Sequence, residues 1–219
     1  MNNPTVMSNK ELRACAREQL NGVWGKMALA VFILVLIYMV QPIFSILDIF
    51  IESYVTSVIS VVLTLAMYLV IGPFNLGLAG FFLKRVRGEE IFIKNIFDGF
   101  KRVFPSFLLC LLMIIFIILW SLLLIIPGII KSFSYSMAFY IMYDNPEIDA
   151  LEALTQSKTM MKGYKWKLFM LFLSFIGWAL LAMLTLGIGF FWLYPYISLS
   201  ISNFYEDLKI NQTAASQKI

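Results

Sequence analysis

Long apolar runs, separated by short charged stretches, dominate the pattern along the chain. Four runs contain no charged residue: 27–47, 54–83, 103–126 and 168–205. A helix needs about 20 apolar residues to cross a bilayer core of ~30 Å. With turns at Pro127-Gly128 and at Gly187 and Gly189, the runs predict six membrane helices, approximately at 26–47, 54–83, 103–126, 129–143, 168–186 and 188–205. We therefore expect an all-α integral membrane protein.

The basic residues predict how these helices are oriented. Lysine and arginine accumulate in cytoplasmic loops, and 16 of the 17 basic residues fall before the first helix, after the sixth, or in the loops after helices two and four. The loop between helices one and two carries Asp48 and Glu52 instead. Both termini are therefore predicted to be cytoplasmic.

A loose threefold repeat organises this single polytopic domain, residues 1–219. The predicted units are 8–88, 89–144 and 145–208, followed by a flexible tail at 209–219. Each unit opens with an amphipathic segment that ends at a glycine, Gly22, Gly99 or Gly163, and continues into two membrane helices. The fold class is thus three hairpins, each preceded by an interfacial helix.

The amphipathic segments carry helix signals of their own. Ser8 and Glu11 have the spacing of a capping box, and Leu12, Ala16 and Leu20 then recur on one face. In the third segment, Asn145 is the predicted N-cap, Pro146 takes the first helical position, and Ile148, Leu151 and Leu154 form the apolar stripe. The second segment, 89–100, lines its apolar side with Ile93, Ile96, Phe97 and Phe100.

We expect these helices to lie in the inner interface, with their apolar faces in lipid and their lysines toward anionic headgroups. The alternative is that they are ordinary connectors rich in basic residues. The candidate interfacial contacts are Lys158, Lys162, Lys165, Trp166 and Trp24.

Lys131, which follows Pro127-Gly128, is the one basic residue outside the cytoplasmic set. Its long stem can bring its amine to the outer interface. A second interpretation uses its neighbours, because Tyr135 shares its helical face and Ser132 and Ser136 share the adjoining one. A cation with three hydroxyls would suit a phosphate or carboxylate headgroup.

Composition argues against catalysis. The chain is 61% apolar and 14% charged, contains no histidine, and has two cysteines that form no C-x-x-C motif. We therefore expect no enzyme activity, catalytic residue, cofactor or metal site. Asp48 and Glu52 could share a helix face and bind a metal, but exposed carboxylate pairs of this kind usually have no functional role.

Among the prolines that fall inside predicted helices, Pro73 and Pro195 are the more interesting candidates. Each frees the carbonyl four residues earlier, that of Leu69 or Phe191, and in lipid this carbonyl needs a partner. Nearby polar residues are the predicted partners, either at simple kinks or along a substrate cavity with Ser198: Asn75, Ser198, Ser200, Ser202 and Asn203.

Several stretches resemble a known family. "LWSLLLIIPGIIKSFSYSMAFYIMYDNP", "EALTQSKTMMKGYKWKLFMLFLSFIGWALL" and "WLYPYISLSISNFYEDL" are similar to the bacterial integral-membrane family called domain of unknown function 975. A fainter resemblance is to the non-catalytic membrane domain of some glycerophosphodiester phosphodiesterases. The first resemblance implies a six-span protein of the bacterial cytoplasmic membrane, mainly Gram-positive, with no established activity and no functional residue to transfer.

Two functional hypotheses remain. The first is a non-enzymatic membrane protein that acts through contact with lipids or a partner membrane protein. The second is a permease or translocator of an anionic amphiphile or lipid, with a cavity lined by Lys131, Tyr135 and the region of Pro195 and Ser198. Neither hypothesis involves nucleic acid. The sequence does not indicate whether the protein is a monomer or an oligomer.

Overall fold

The computed structural model describes residues 6–51 and 53–216, and this part of the chain is helical throughout, with no strand. The side chains of residues 48, 215 and 216 lie outside the description. The elements are α1 (Asn9–Leu20), α2 (Trp24–Ile51), α3 (Tyr54–Val86), a 3-10 helix (Ile93–Arg102), α4 (Val103–Leu123), α5 (Ile125–Tyr135), α6 (Ala138–Asp144), α7 (Ala150–Met160), α8 (Lys165–Leu173), α9 (Ile176–Leu184) and α10 (Phe190–Ser216).

Within the described residues, five stretches are long and apolar enough to cross a membrane. They are Trp24–Ile51, Tyr54–Val86, Ile93–Leu123, Ile125–Asp144 and Lys165–Leu184. The predicted sixth span falls on α10 and is not among them, because buried polar residues such as Ser200, Ser202 and Asn203 interrupt its apolar sequence. The structure thus supports a membrane protein with five candidate spans.

The corner between α4 and α5 lies at Leu124 rather than at Pro127-Gly128. Leu124 is extended (φ −162°, ψ 143°), and α5 begins at the next residue. Pro127 sits in the first turn of α5, where a helix tolerates a missing N–H. Gly128 allows close packing of the two helices, since a Cβ there would lie 2.0 Å from Ser121 Oγ. The predicted Pro-Gly turn is therefore displaced by three residues.

The fourth predicted membrane helix is broken between α5 and α6, and a side chain from α7 explains the break. Ser157 Oγ donates to Ser134 O (2.8 Å) and accepts from Met137 N–H (3.2 Å). The Ser136 hydroxyl donates to Phe133 O (2.8 Å), the carbonyl that Met137 N–H would bond in a continuous helix. Side chains inserted into the backbone ladder are a known cause of kinks.

The fifth predicted helix is likewise divided, into α8 and α9, at Ser174. Arg13 of α1 donates from Nη1 to Ser174 O at 3.4 Å. Asn9, also on α1, donates from its side chain to Lys167 O at 3.3 Å. These bonds hold α8 alongside α1.

The first amphipathic segment forms the predicted helix but buries its apolar face in protein. The capping box is confirmed, since Glu11 N–H donates to Ser8 Oγ (3.3 Å) and Ser8 N–H to Glu11 Oε2 (2.6 Å). Leu12, Ala16 and Leu20 are fully buried, and α1 packs mainly against α10. The expectation that this stripe enters lipid is therefore wrong.

The second segment forms the 3-10 helix and packs tightly on α3. A Cβ on Gly99 would lie 1.9 Å from Pro73 O, and one on Gly77 would lie 1.8 Å from Ile96 O. Only glycine permits the two backbones to approach this closely. Gly99 therefore acts as a packing contact, whereas Gly22 and Gly163 take positive φ at turns, so the three junctions are not equivalent.

The third segment begins later than predicted. Asp149 caps α7 by accepting from Glu152 N–H (2.7 Å), while the Asn145 side chain donates back to Ile141 O (2.9 Å) at the end of α6. Leu151 is exposed, whereas Ile148 and Leu154 are buried, and α7 packs on α4, α5 and α6. The predicted cap at Asn145 and the predicted lipid-facing stripe are wrong.

The C-terminal part of the described chain continues α10 to Ser216. Lys209 makes an ion pair with Asp144. Residues 209–216 of the predicted flexible tail, 209–219, are thus helical, and residues 217–219 lie outside the described part of the chain.

The exposed apolar surface concentrates at three hairpin tips. Phe50 is 81%, Leu122 78% and Leu186 95% exposed. The long α2–α3 hairpin contains a polar ladder, in which Gln41 Nε2 donates to Thr64 Oγ1 (3.1 Å) and the hydroxyls of Ser45 and Ser60 are 3.3 Å apart. Such bonds hold apolar helices together where lipid offers no hydrophobic gain.

Candidate functional site

Lys131 lies on α5 and covers an aromatic ring of α4. Its Nζ is 4.3 Å from the centroid of the Trp120 ring, which is close enough for a cation–π interaction. The side chain is half-buried. Lys131 is therefore anchored by a neighbouring helix.

Two lysines that were assigned to the opposite membrane face lie near it. Lys158 and Lys165 are within electrostatic range of Lys131, because Ser157 ties α7 to the break between α5 and α6. Lys131 is therefore a neighbour of both lysines, and its predicted position at an outer interface stays a prediction. We call Lys131, Lys158 and Lys165 the lysine cluster.

None of these three lysines makes an ion pair within the part of the chain that the structure describes. Like charges in proximity repel each other, most strongly where water is scarce. An external anion would relieve this repulsion. The arrangement is therefore suited to binding an anionic group.

The hydroxyls expected to assist Lys131 do not join it. Ser132 Oγ donates to Ile129 O (2.7 Å), and Ser136 Oγ donates to Phe133 O. Tyr135 is buried (7% exposed) and lies 6.2 Å from the Phe116 ring. Serines in apolar helices commonly bond their own helix in this way. The predicted grip of one cation and three hydroxyls is not formed.

Aromatic side chains border the cluster along α8. Trp166 is 70% exposed and its ring is 5.0 Å from that of Phe169, which in turn is 6.0 Å from Phe133 on α5. Lys162 is exposed in the turn before α8. The predicted interfacial set is thus split, because Trp24 lies at the start of α2 beside Arg17.

Ser198 faces a separate polar cavity. This cavity of about 140 Å³ is lined by Asn75, Leu78, Ala79, Phe82, Ser136, Phe139, Tyr140, Tyr194 and Ser198. Lys131 is not part of its lining, so this cavity is not the one shared by Lys131 and Ser198 that the translocation hypothesis requires.

The prolines are placed as predicted, inside α3 and α10, and Pro195 is buried. The partners predicted for the freed carbonyls of Leu69 and Phe191 bond elsewhere. Asn75 Nδ2 donates to Ile71 O and Asn203 Nδ2 to Leu199 O, both at 2.9 Å. The serines of α10 also bond carbonyls one turn earlier: Ser200 to Tyr196 O and Ser202 to Ser198 O.

An ionic group that the sequence did not single out joins the ends of α3, α6 and α10. Arg87 Nη2 lies 2.8 and 2.7 Å from the two oxygens of Asp144, and its Nε donates to Glu206 at 2.7 Å. Lys209 also bonds Asp144, and Tyr205 OH donates to it at 3.0 Å. We call these five residues the Asp144 network.

The Asp144 network is internally neutralised. Burial by itself would lower the pKa of Arg87, but its hydrogen bonds to Asp144 and Glu206 raise that pKa above its ordinary value. The only sequence signal was that Asp144 ends a helix. Its partners lie 57 to 65 residues away, so no local pattern could identify them.

The predicted acidic pair gives no test of metal binding, because Glu52 and the side chain of Asp48 lie outside the described residues. Among the residues that are described, no group of three acidic or cysteine side chains is placed to hold a metal ion.

Comparison with known proteins identifies a family. No curated protein and no solved structure matches the chain, so the fainter resemblance to the phosphodiesterase membrane domain stays an expectation. A family model matches residues 6–132 and 121–212, which together include all of the described chain except the last residues of α10. The chain therefore belongs to the family described as "Protein of unknown function (DUF975)".

Proposed function

We propose that this protein is a non-enzymatic membrane protein that binds anionic phospholipid headgroups through the lysine cluster. The observation that carries the proposal is the convergence of Lys131, Lys158 and Lys165 from three elements, with no carboxylate paired to them in the described chain. Phosphate groups are the abundant anions at the surface of a phospholipid membrane.

The expected interaction energies between the lysines and lipid headgroups are sufficient for binding. Each lysine near an anionic membrane surface contributes about 1 kcal/mol. Trp120 and Trp166 are suited to the headgroup level, where amphipathic rings concentrate. Trp120 also holds the Lys131 amine in place, which lowers the entropy lost when a headgroup binds.

The placement of the cluster accords with the cytoplasmic leaflet of a bacterial cell membrane. Met7 N–H donates to the Asp207 carboxylate at 2.6 Å, which supports a topology with both termini on the same side. The proposed topology has an even number of crossings, with α9 and the start of α10 as a third hairpin. The anionic cytoplasmic leaflet would then face the lysines.

Native mass spectrometry of the detergent-solubilised full chain, titrated with phosphatidylglycerol, tests the proposal. Replacing Lys131, Lys158 and Lys165 together by Gln should weaken one phosphatidylglycerol binding step at least about tenfold, given the loss of three cations. Phosphatidylcholine binding should stay unchanged.

The matched control replaces Lys10, Lys26 and Lys94 by Gln, which removes the same charge from other surfaces. This control should retain most of the phosphatidylglycerol affinity. Equal losses in the two triple variants would show that net charge alone attracts the lipid, and the proposed site would be rejected.

A further inference from the structure

We infer that a second, independent lipid site exists, in which one anionic phospholipid lies between α9 and α10 with its phosphate at Arg17. The site is a groove of about 370 Å³ that opens at the surface, a volume within the range of small-molecule sites. Its lining consists of Arg17, Trp24, Trp178, Leu181, Ala182, Thr185, Gly189, Trp192, Leu193 and Tyr196.

The floor of the groove is built by the turn that joins α9 to α10. Thr185 Oγ1 donates to Ala182 O (2.7 Å) and accepts from Gly189 N–H (2.8 Å). Gly189 approaches α9 so closely that a Cβ would lie 2.8 Å from Ala182 Cα. The floor is thus shaped by packed small residues and satisfied hydrogen bonds.

The walls are apolar and exposed. Trp178 is 56%, Leu181 55% and Trp192 49% exposed. The hairpin tip beyond them is more exposed still, with Leu184 at 81% and Leu186 at 95%. A continuous exposed apolar surface of this kind is stable in contact with lipid hydrocarbon. The part of the bound lipid that lies between these walls is therefore an acyl chain.

The positive charge of Arg17 indicates which class of lipid would bind in the groove. Arg17 lines the groove from α1, beside Trp24 at the start of α2, and it makes no hydrogen bond or ion pair that places it in another network of the described residues. A guanidinium binds phosphate oxygens with two parallel hydrogen bonds. Together with the apolar walls, this end of the groove matches a phospholipid with a net negative headgroup.

The test uses the full chain in phosphatidylcholine vesicles that contain a few mole per cent of phosphatidylglycerol brominated on its acyl chains. Bromine quenches nearby tryptophan fluorescence, and three of the five tryptophans, Trp24, Trp178 and Trp192, line the groove. Occupancy of one site should give quenching that saturates at low mole fraction. Brominated phosphatidylcholine should give only the linear increase that random contact produces.

Arg17→Gln should shift the saturating component to at least about tenfold higher phosphatidylglycerol, since a charge-assisted bond is lost. Arg17→Lys, which keeps the charge but not the two parallel hydrogen bonds, should shift it less than Arg17→Gln does, and Lys10→Gln, on the same helix but outside the groove, should change nothing. Arg17 is exposed, so these variants should fold normally.

Three results would overturn the inference: quenching equal for the two brominated lipids, a saturating component unchanged in Arg17→Gln, or a dimer that occupies the groove. The lysine-cluster triple variant should lose the share of quenching that comes from Trp120 and Trp166 and keep the saturating component from the groove tryptophans. The two proposals can therefore fail separately.

Discussion

The lysine cluster and the Asp144 network both gather cations from distant parts of the chain, but they differ in their supply of carboxylates. In the network, Arg87 and Lys209 converge on Asp144, whose side chain is only 6% exposed, and Glu206 completes the charge balance. In the cluster, Lys158 and Lys165 approach Lys131, and none of the three has an acid as an ion-pair partner among the described residues.

Because of this difference, the Asp144 network and the lysine cluster are expected to have different roles. A neutralised and buried network stabilises the junction of α3, α6 and α10, because each charge already has its hydrogen bonds. Uncompensated cations lower stability and attract anions. The first arrangement is expected to matter for folding, and the second for binding.

The largest expected effect comes from Asp144→Asn, which keeps the shape of the side chain and removes its charge. Arg87 and Lys209 would then lack their shared acid, and the free energy of unfolding should fall by about 3 kcal/mol. Unfolding in mixed micelles of increasing SDS content, followed by tryptophan fluorescence, measures this change.

Asp98→Asn is the matched control. Asp98 also binds two lysines, Lys84 at 3.1 Å and Lys101 at 2.7 Å, but it is 19% exposed and Lys101 is 79% exposed. Water screens such pairs, so the loss should be clearly smaller. Equal losses at the two positions would contradict a special role for the buried network.

Ser157→Ala should have an intermediate effect and sharpen the comparison at the cluster. It leaves the buried Met137 N–H without its acceptor, which should cost about 2 kcal/mol. Since Ser157 also holds α7 against α5, phosphatidylglycerol affinity should fall although no lysine is lost.

The control for this variant is Thr155→Ala, on the exposed face of α7, where the hydroxyl bonds Leu151 O within the same helix. It should leave both stability and lipid affinity within error of the wild type. Loss of stability in Ser157→Ala with undiminished lipid affinity would show that lysine proximity does not matter for binding.

The smallest expected effect has the opposite sign. Lys165→Gln removes one repelling charge from the cluster and one cation from the first turn of α8, where the helix dipole disfavours it. The free energy of unfolding should rise by up to about 0.5 kcal/mol at low salt, and the gain should vanish near 1 M salt.

Lys101→Gln provides the contrast, because Lys101 is paired with Asp98. Its loss should lower stability slightly, within the usual range of about 0.2–1 kcal/mol for exposed ion pairs. If both lysine variants destabilise equally, repulsion within the cluster is negligible.

Local signals were sufficient for much of the fold. The capping box at Ser8 and Glu11, the stripe of Leu12, Ala16 and Leu20, and the apolar runs of α2 to α4 depend on residues within a few turns of each other. Short-range patterns of this kind dictate helix formation and which face is apolar.

Which element packs on an apolar face depends on contacts between residues that are distant in the sequence. The α1 stripe has the pattern of an interfacial helix, but it is buried against α10 because the chain brings the two together. The breaks at Ser136 and Ser174 similarly depend on Ser157 and Arg13, which are distant in sequence.

The long apolar runs were sufficient to predict a helical membrane protein with concentrated basic charge, because a helix satisfies its own backbone hydrogen bonds in hydrocarbon. Which cations are neutralised depends on tertiary packing. That choice depends on the packing of α3, α6 and α10 around Asp144, and of α5, α7 and α8 around Lys131. Pairing of charges is set by distance in space, and residue order along the chain does not encode it locally.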